Sequence, residues 1–410
     1  MARILYVDHY AGSPRHGMEY RPYCFAREWQ KLGHDVTIVA ASFAHVRQVN
    51  PSVSAELQLE RVDGIDYFWI RTPKYTGNGA QRAINIFAFV GKLLRYSRKV
   101  ADACRPEVVI ASSTYPIDIY PCWRIARRYG AKLVFELHDL WPLSPIEIGG
   151  MSRWHPFAAV MQMGENFACT RSDFVVSILP KAFEYLVDHG LDASRFVHIP
   201  NGVVLDDWSE LAPSPLAKHV LEQFAGLTAT GYFIVTYAGA HGPANNLQLL
   251  IEAARQMRGD AVMFCLFGAG SEKEALKSSV RSLGLNNVRF FDPVPKSAIP
   301  SVLRASSALF FSLTPSPLFR YGISPNKLID YMMAGRPIIA AVSAGNNPVV
   351  EHECGLSVGA TDVNGVVQGV RKLMEMGDAA RDRMGEAGHR AVLEEYSYQE
   401  LAERFARCFV

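Results

Sequence analysis

Ser324-Pro325-Asn326-Lys327-Leu328-Ile329-Asp330-Tyr331-Met332-Met333-Ala334-Gly335-Arg336-Pro337 reads as a loop that enters a helix and leaves it at a sharp stop. Pro325 suits a first helical turn, where a missing N–H costs nothing. Leu328, Tyr331 and Met332 recur at helical spacing and predict the buried face. Gly335 stands where a left-handed cap belongs, and Pro337 follows because it cannot continue the helix. Downstream, Ile338–Val342 is a short apolar run without alternation, the pattern of a strand covered on both faces. Upstream, Ala308–Leu313 is another. Strand, loop, helix, strand is the unit of an open parallel α/β sheet.

Such sheets bind ligands at the carboxyl ends of their strands, near helix N-termini. Asn326, Lys327 and Asp330 sit at that helix start. Free N–H groups and a lysine suit a diphosphate, and a carboxylate one turn later suits ribose hydroxyls. The stretch also fits a capped core helix with Lys327 in solvent.

The chain has 410 residues, 49% hydrophobic and 20% charged, which suits two cores rather than one. A formal charge of +2 gives no support for a nucleic-acid partner. The seven cysteines show no C-x-x-C and no metal-type spacing, which points away from disulfides and zinc and toward a reducing cytoplasm. No leader is evident at Met1-Ala2-Arg3, and no apolar run reaches the ~20 residues that span a bilayer.

In order, Ile4–Asp8 predicts a strand, 19–32 a helix and Val36–Ala40 a second strand. The loop between them holds Gly12 but is not G-x-G-x-x-G, which weakens a dehydrogenase reading. Strands follow near 65–71, 107–111, 132–137, 174–178 and 196–199, with a helix over 83–103. Pro200-Asn201-Gly202 turns out of this half. The pattern restarts with strands at 233–238, 262–267 and 288–291, and helices at 364–376 and 379–410 close the chain.

K-L-G-H-D-V-T-I-V at 31–39, H-D-L-W-P at 138–142, I-P-N-G-V at 199–203, G-A-G-S-E-K-E-A-L at 268–276 and the stretch at 324–337 together resemble the GT-B glycosyltransferases of family 4. The S-P-N-K-L-x-D-Y-M and D-L-W-P forms are similar to a branch that makes bacterial surface polysaccharide, including O-antigen fucosamine transferases. The resemblance implies two Rossmann-like domains facing a cleft: 1–203 for the acceptor, 204–390 for the nucleotide-sugar, and a helix over 391–410 crossing back to the first. It implies retaining, metal-independent hexosyl transfer from a nucleotide-sugar, expected to be UDP-linked, with no cofactor. The acceptor would be a lipid-linked or free saccharide. The expected place is the cytoplasm, with a peripheral position on the inner face of the membrane as a variant of it.

The chain departs from the family's Glu-x7-Glu pattern, with Gly322 at the first position and Asp330 at the second. Ala240 and Asn245 stand where the family has phosphate-binding Arg and Lys, so Lys327 and Arg320 become the nearest replacements. The resemblance puts His138 against the transferred sugar and the nucleotide base near Val294. The catalytic candidates are His138, Lys327 and Asp330. Donor candidates add Gly239, Gly270, Val294, Arg320 and Asn326; Gly239 and Gly270 fit either close backbone approach or ordinary turns.

On the acceptor side stand Gly12, Arg15, His16 and Arg21, which equally fit a solvated loop and helix face. Gln81–Val100 is amphipathic and basic, which fits an anionic membrane or a core-packed helix with a wet back. Two other functions stay open, a GT-B-fold nucleotide-sugar 2-epimerase and a non-catalytic nucleotide-sugar-binding partner.

Overall fold

Short apolar runs build two separate parallel sheets in the computed structural model, which describes residues 1–17, 19–77, 79–209 and 215–409. The first sheet uses β1 (Arg3–Val7), β2 (Asp35–Ala41), β3 (Leu57–Val62), β4 (Ile65–Ile70), β5 (Val108–Ala111), β6 (Lys132–Leu137), β7 (Phe174–Ser177) and β8 (Phe196–His198). Their order is β3-β4-β2-β1-β5-β6-β7-β8, and only the edge strand β3 runs antiparallel. The second sheet uses β9 (Phe233–Ala238), β10 (Val262–Phe267), β11 (Val288–Phe291), β12 (Ala308–Ser312), β13 (Ile338–Ala341) and β14 (Gly355–Val358). Its order is β11-β10-β9-β12-β13-β14, parallel throughout. The strand order reverses beside β1 in the first sheet and beside β9 in the second. In open α/β sheets ligands bind outside the carboxyl ends of the strands at such a reversal.

Contacts divide the chain into a unit of Met1–Pro200 with Tyr398–Val410 and a unit of Asn201–Ser397. The boundaries therefore lie at 200/201 and 397/398, where the sequence reading has 203/204 and 390/391. The reason is local. Val203 donates its N–H to the Tyr396 carbonyl at 2.9 Å, and Val203, Val392 and Tyr396 are buried in the second unit's core. The single helix expected over 379–410 is four pieces: Asp378–Ala391, a wide turn Val392–Tyr396, Tyr398–Ala406 and a short tight turn Arg407–Phe409. Within the first unit Tyr398 and Phe405 pack edge-on against Phe25, and the Trp29 indole donates to the Ala402 carbonyl at 3.1 Å.

The helix Asn326–Met333 follows its sequence pattern. Leu328, Tyr331 and Met332 are buried, and Gly335 is left-handed at φ +68°. Helix initiation comes one residue later than expected, with Pro325 as the cap. Tyr331 fixes the helix to the end of β9: its hydroxyl accepts from Ala238 N–H at 2.7 Å and donates to the Ala238 carbonyl at 3.1 Å. That pair of hydrogen bonds ties the helix to the end of β9, beside the strand reversal.

Candidate functional site

In the second unit, Lys327 turns from its helix toward the loop after β9. Its ammonium donates to the Tyr237 hydroxyl at 2.8 Å and to Asn245 Oδ1 at 2.6 Å, and lies over the Tyr237 ring at 4.4 Å. Among the described residues no carboxylate pairs with it. Burial therefore pushes its pKa down to about 7. Gly239 makes room, since a Cβ there would fall 2.6 Å from Lys327 Cε. Gly270 is likewise required, because its Cβ would fall 2.2 Å from the His241 carbonyl oxygen. The cation thus stands beside Asn245, one of the two positions where the sequence lacks a phosphate-binding cation.

Asp330, one turn on, faces another neighbourhood. Burial pushes its pKa up to about 7, against the pull of Lys296 and a hydrogen bond with Trp208. Lys296 itself pairs with Asp207 at 2.5 Å. Val294 packs on the same core. Asn326 is exposed at the helix start. Arg320 is also exposed, but its guanidinium donates to the Pro317 carbonyl at 2.7 Å and covers the Tyr321 ring at 4.4 Å. It folds onto its own turn, whereas Lys327 reaches the loop after β9.

In the first unit, His138 follows β6 and is mostly buried. Its Nε2 lies 2.8 Å from Ser112 Oγ and 3.6 Å from Glu136 Oε2. Glu136 is buried inside β6 and bonded on every side: Arg21 Nε donates to Oε1 at 2.9 Å, Ser112 Oγ to Oε2 at 2.6 Å, and the Tyr6 hydroxyl to Oε2. Burial alone would raise the Glu136 pKa, but Arg21 and His138 outweigh it and hold the carboxyl well below the usual range. Burial would lower His138, yet Glu136 holds it above its ordinary value. Glu136 thereby favours the charged form of His138 at this strand end. Asp8 at the end of β1 is pushed up to about 7 by burial, with His138 opposing.

The four acceptor-side candidates are placed differently. Arg21 is buried, and besides holding Glu136 it donates to the Pro200 and Ile199 carbonyls at 2.6 and 2.9 Å. It is a support for the His138 network. His16 is buried against Trp69 and bonded through Nδ1 to Ser13 Oγ at 2.8 Å. Arg15 pairs with Asp63 at 3.0 Å, in the turn between β3 and β4. Gly12 is buried, and its carbonyl accepts from the Tyr67 hydroxyl at 2.9 Å. His16 and Gly12 are thus both engaged in the packing of their own unit. Sequence reading overlooked Glu136, whose signal was visible: a carboxylate inside the apolar run L-V-F-E-L requires a buried partner.

A cavity of about 710 Å³ also opens in the first unit, between the start of the helix Ala80–Cys104 and the segment 139–157. Asp139 and Trp141, just past His138, form part of its wall. Asp139 accepts from Leu140 N–H, the Trp141 indole and Ser144 Oγ, and so shapes that loop.

Two family models match the chain, Glycosyltransferase Family 4 over residues 15–207 and Glycosyl transferases group 1 over residues 221–391. Sucrose-phosphate synthase from Thermosynechococcus elongatus has the same fold, with a TM-score of 0.70 and 16% identity over 99% of this chain and 98% of that one. The chain belongs to the GT-B glycosyltransferases. HepE of Anabaena, solved with UDP and glucose, is a second structure of this fold, with a TM-score of 0.67 and 17% identity over 99% of both chains. A sequence relative, provisionally assigned to colanic acid biosynthesis as the glycosyl transferase WcaI of Escherichia coli K12, is 24% identical over 188 residues. That alignment spans 44% of either protein, less than half the relative's length. In this GT-B glycosyltransferase, Lys327 and His138 therefore lie at strand ends of the two units, each beside a reversal of strand order or one strand away from it.

Proposed function

We propose that the protein is a retaining glycosyltransferase that moves a sugar from a UDP-sugar to a lipid-linked or saccharide acceptor in bacterial surface polysaccharide synthesis. The observation that carries this reading is the half-buried Lys327, paired with no carboxylate among the described residues, against Gly239 and Asn245 at the start of the helix Asn326–Met333. A departing diphosphate develops charge that needs preorganised donors. Lys327 and the free N–H groups of that helix start supply them. Asp330 receives ribose hydroxyls, with the base near Val294. UDP in the HepE structure supports uridine. The acceptor oxygen attacks the anomeric carbon on the face from which the phosphate oxygen leaves, and the departing phosphate takes the acceptor's proton. No protein nucleophile is required. The surface-polysaccharide setting, O-antigen or otherwise, follows the WcaI likeness and the D-L-W-P form.

A peripheral position at the membrane is part of the proposal. Along Ala80–Cys104, Ile84 and Phe87 are exposed on the helix's N-terminal half and Arg95, Arg98 and Lys99 on its C-terminal half. No helix among the described residues is long and apolar enough to cross a bilayer.

A thermal-shift screen of nucleoside diphosphates tests the donor reading. UDP at a hundred times its Kd should stabilise the fold by roughly 2.7 kcal/mol, while ADP and GDP at equal concentration should do far less. Equal shifts with every nucleotide would remove uridine from the proposal. His138→Ala should lower transfer at least a hundredfold and leave UDP affinity within about threefold, because the side chain is proposed to meet the sugar and not the phosphates. Unchanged turnover would make His138 purely structural.

A further inference from the structure

The 710 Å³ cavity of the first unit is built for something other than a sugar. Its size falls within the ~300–1,000 Å³ of small-molecule sites, and its wall is mostly apolar, from Ala83, Ile86, Pro145 and Phe157 among others. A saccharide would need many polar partners there. Asp139, the wall's carboxylate, is already engaged by its own loop.

One cation breaks the apolar lining. Arg82 donates from Nε and Nη2 to the Tyr10 hydroxyl at 3.2 and 3.0 Å, and its guanidinium lies over the Trp141 ring at 5.4 Å. This clamp fixes a positive charge in the cavity wall beside Trp141, in the loop that follows His138.

Outside, the apolar lining continues onto the surface. Ile148, itself in the wall, is 64% exposed, and Trp154, between the wall residues Met151 and His155, is 86% exposed. Phe87 is exposed and meets Phe157 edge-on at 6.2 Å. Three large apolar side chains left in water in and around the wall of one apolar cavity suit contact with an apolar partner. Arg153 lies beside them.

We propose that this cavity receives the phosphorylated hydrocarbon chain of a membrane-borne acceptor, with the chain along Ala83, Ile86 and Phe157 and the phosphate on Arg82. Ile148 and Trp154 sit in the lipid surface from which the chain is drawn. The inference rests on the lipid-linked form of the acceptor proposed above and gives it a site. It also moves the expected lipid contact from the basic stripe at Arg95–Lys99 to the apolar mouth at the other end of the helix.

Calorimetry with dodecyl phosphate below its micelle concentration tests this on the full chain. Dodecyl phosphate should bind at least tenfold tighter than a neutral dodecyl ether, and inorganic phosphate should not compete. Ala83→Trp fills the cavity and should weaken dodecyl phosphate at least tenfold. Arg82→Gln should bring it to within about threefold of the neutral amphiphile. Ile148→Trp narrows the mouth at an exposed position, so it reports on the same site if Ala83→Trp does not fold. A far-UV circular dichroism spectrum and a cooperative melting transition matching the parent's certify each variant. Equal dodecyl phosphate binding in a certified Ala83→Trp or Ile148→Trp protein overturns the proposal, as does no binding by the parent. Alkyl phosphate binding without any UDP response would sink the donor reading and leave the cavity assignment standing.

Discussion

Lys327→Ala should weaken UDP binding about ten- to a hundredfold, leave uridine binding unchanged, and cut turnover by more than the loss of affinity. A hydrogen bond to a charged group contributes roughly 1.5–3 kcal/mol, which sets that range. The turnover loss is larger because the phosphate gains charge as the sugar leaves, so the ammonium is worth more in the transition state than in the bound donor. The same lysine predicts a pH dependence. In the empty site burial holds its pKa at about 7. A diphosphate favours the charged form, so binding raises that pKa and draws a proton from the buffer. Affinity is therefore full below about pH 7 and falls as pH rises through the empty-site value, by up to tenfold per unit. Asp330 works the other way. Its empty-site pKa is also about 7, and ribose hydroxyls favour its ionised form, so it releases a proton on binding. Calorimetry of Asp330→Asn at about pH 8, in buffers of different ionisation heat, isolates the lysine. Uptake there, lost again in Asp330→Asn/Lys327→Ala, is the expected result. Equal loss of UDP and uridine affinity in Lys327→Ala would remove phosphate recognition from this residue.

The stretch that carries Lys327 was legible because each local signal agreed with the packing. Ala308–Leu313 and Ile338–Val342 are apolar without alternation, and both supply buried parallel strands. The destination of Lys327 was not legible, since Asn245 is 82 residues away and local pattern allowed a solvated side chain. Edge strand β3 escaped notice because L-Q-L-E-R-V is half exposed and pairs on one side only. The helix Pro156–Arg171 hid for the opposite reason. Its apolar residues surround it, with Met161 buried and Met163 exposed, so no single stripe stands out. Arg15, His16 and Arg21 were read from their chemical type, while their burial and partners, an exposed ion pair for Arg15 and buried bonds for His16 and Arg21, come from tertiary packing. Residue type suggests what a side chain can do, and only tertiary contact says whether it is free to do it.

Arg21→Met should be the most damaging single change to stability in the first unit. Removing one partner of a buried ion pair leaves the other charge uncompensated, at a cost of about 3–5 kcal/mol. For a unit of this size that lowers Tm by roughly 6–20 °C. Glu136 and Arg21 are both almost wholly buried, and two carbonyl bonds of Arg21 are lost as well. The double variant Arg21→Met/Glu136→Leu should recover much of the loss, because matched apolar groups remove the buried charge. The sign of the pH effect separates this account from a simple packing defect. In the parent the folded Glu136 pKa is depressed, so its stabilisation is present above the ordinary glutamate value and is lost as pH falls through the folded one. In Arg21→Met burial dominates and raises that pKa, so the penalty is full at neutral pH and shrinks on acidification. The Tm gap between parent and Arg21→Met should therefore narrow between about pH 7 and pH 5. A gap that stays constant would mean that Arg21 matters for its volume and carbonyl bonds and not for the charge it sets against Glu136.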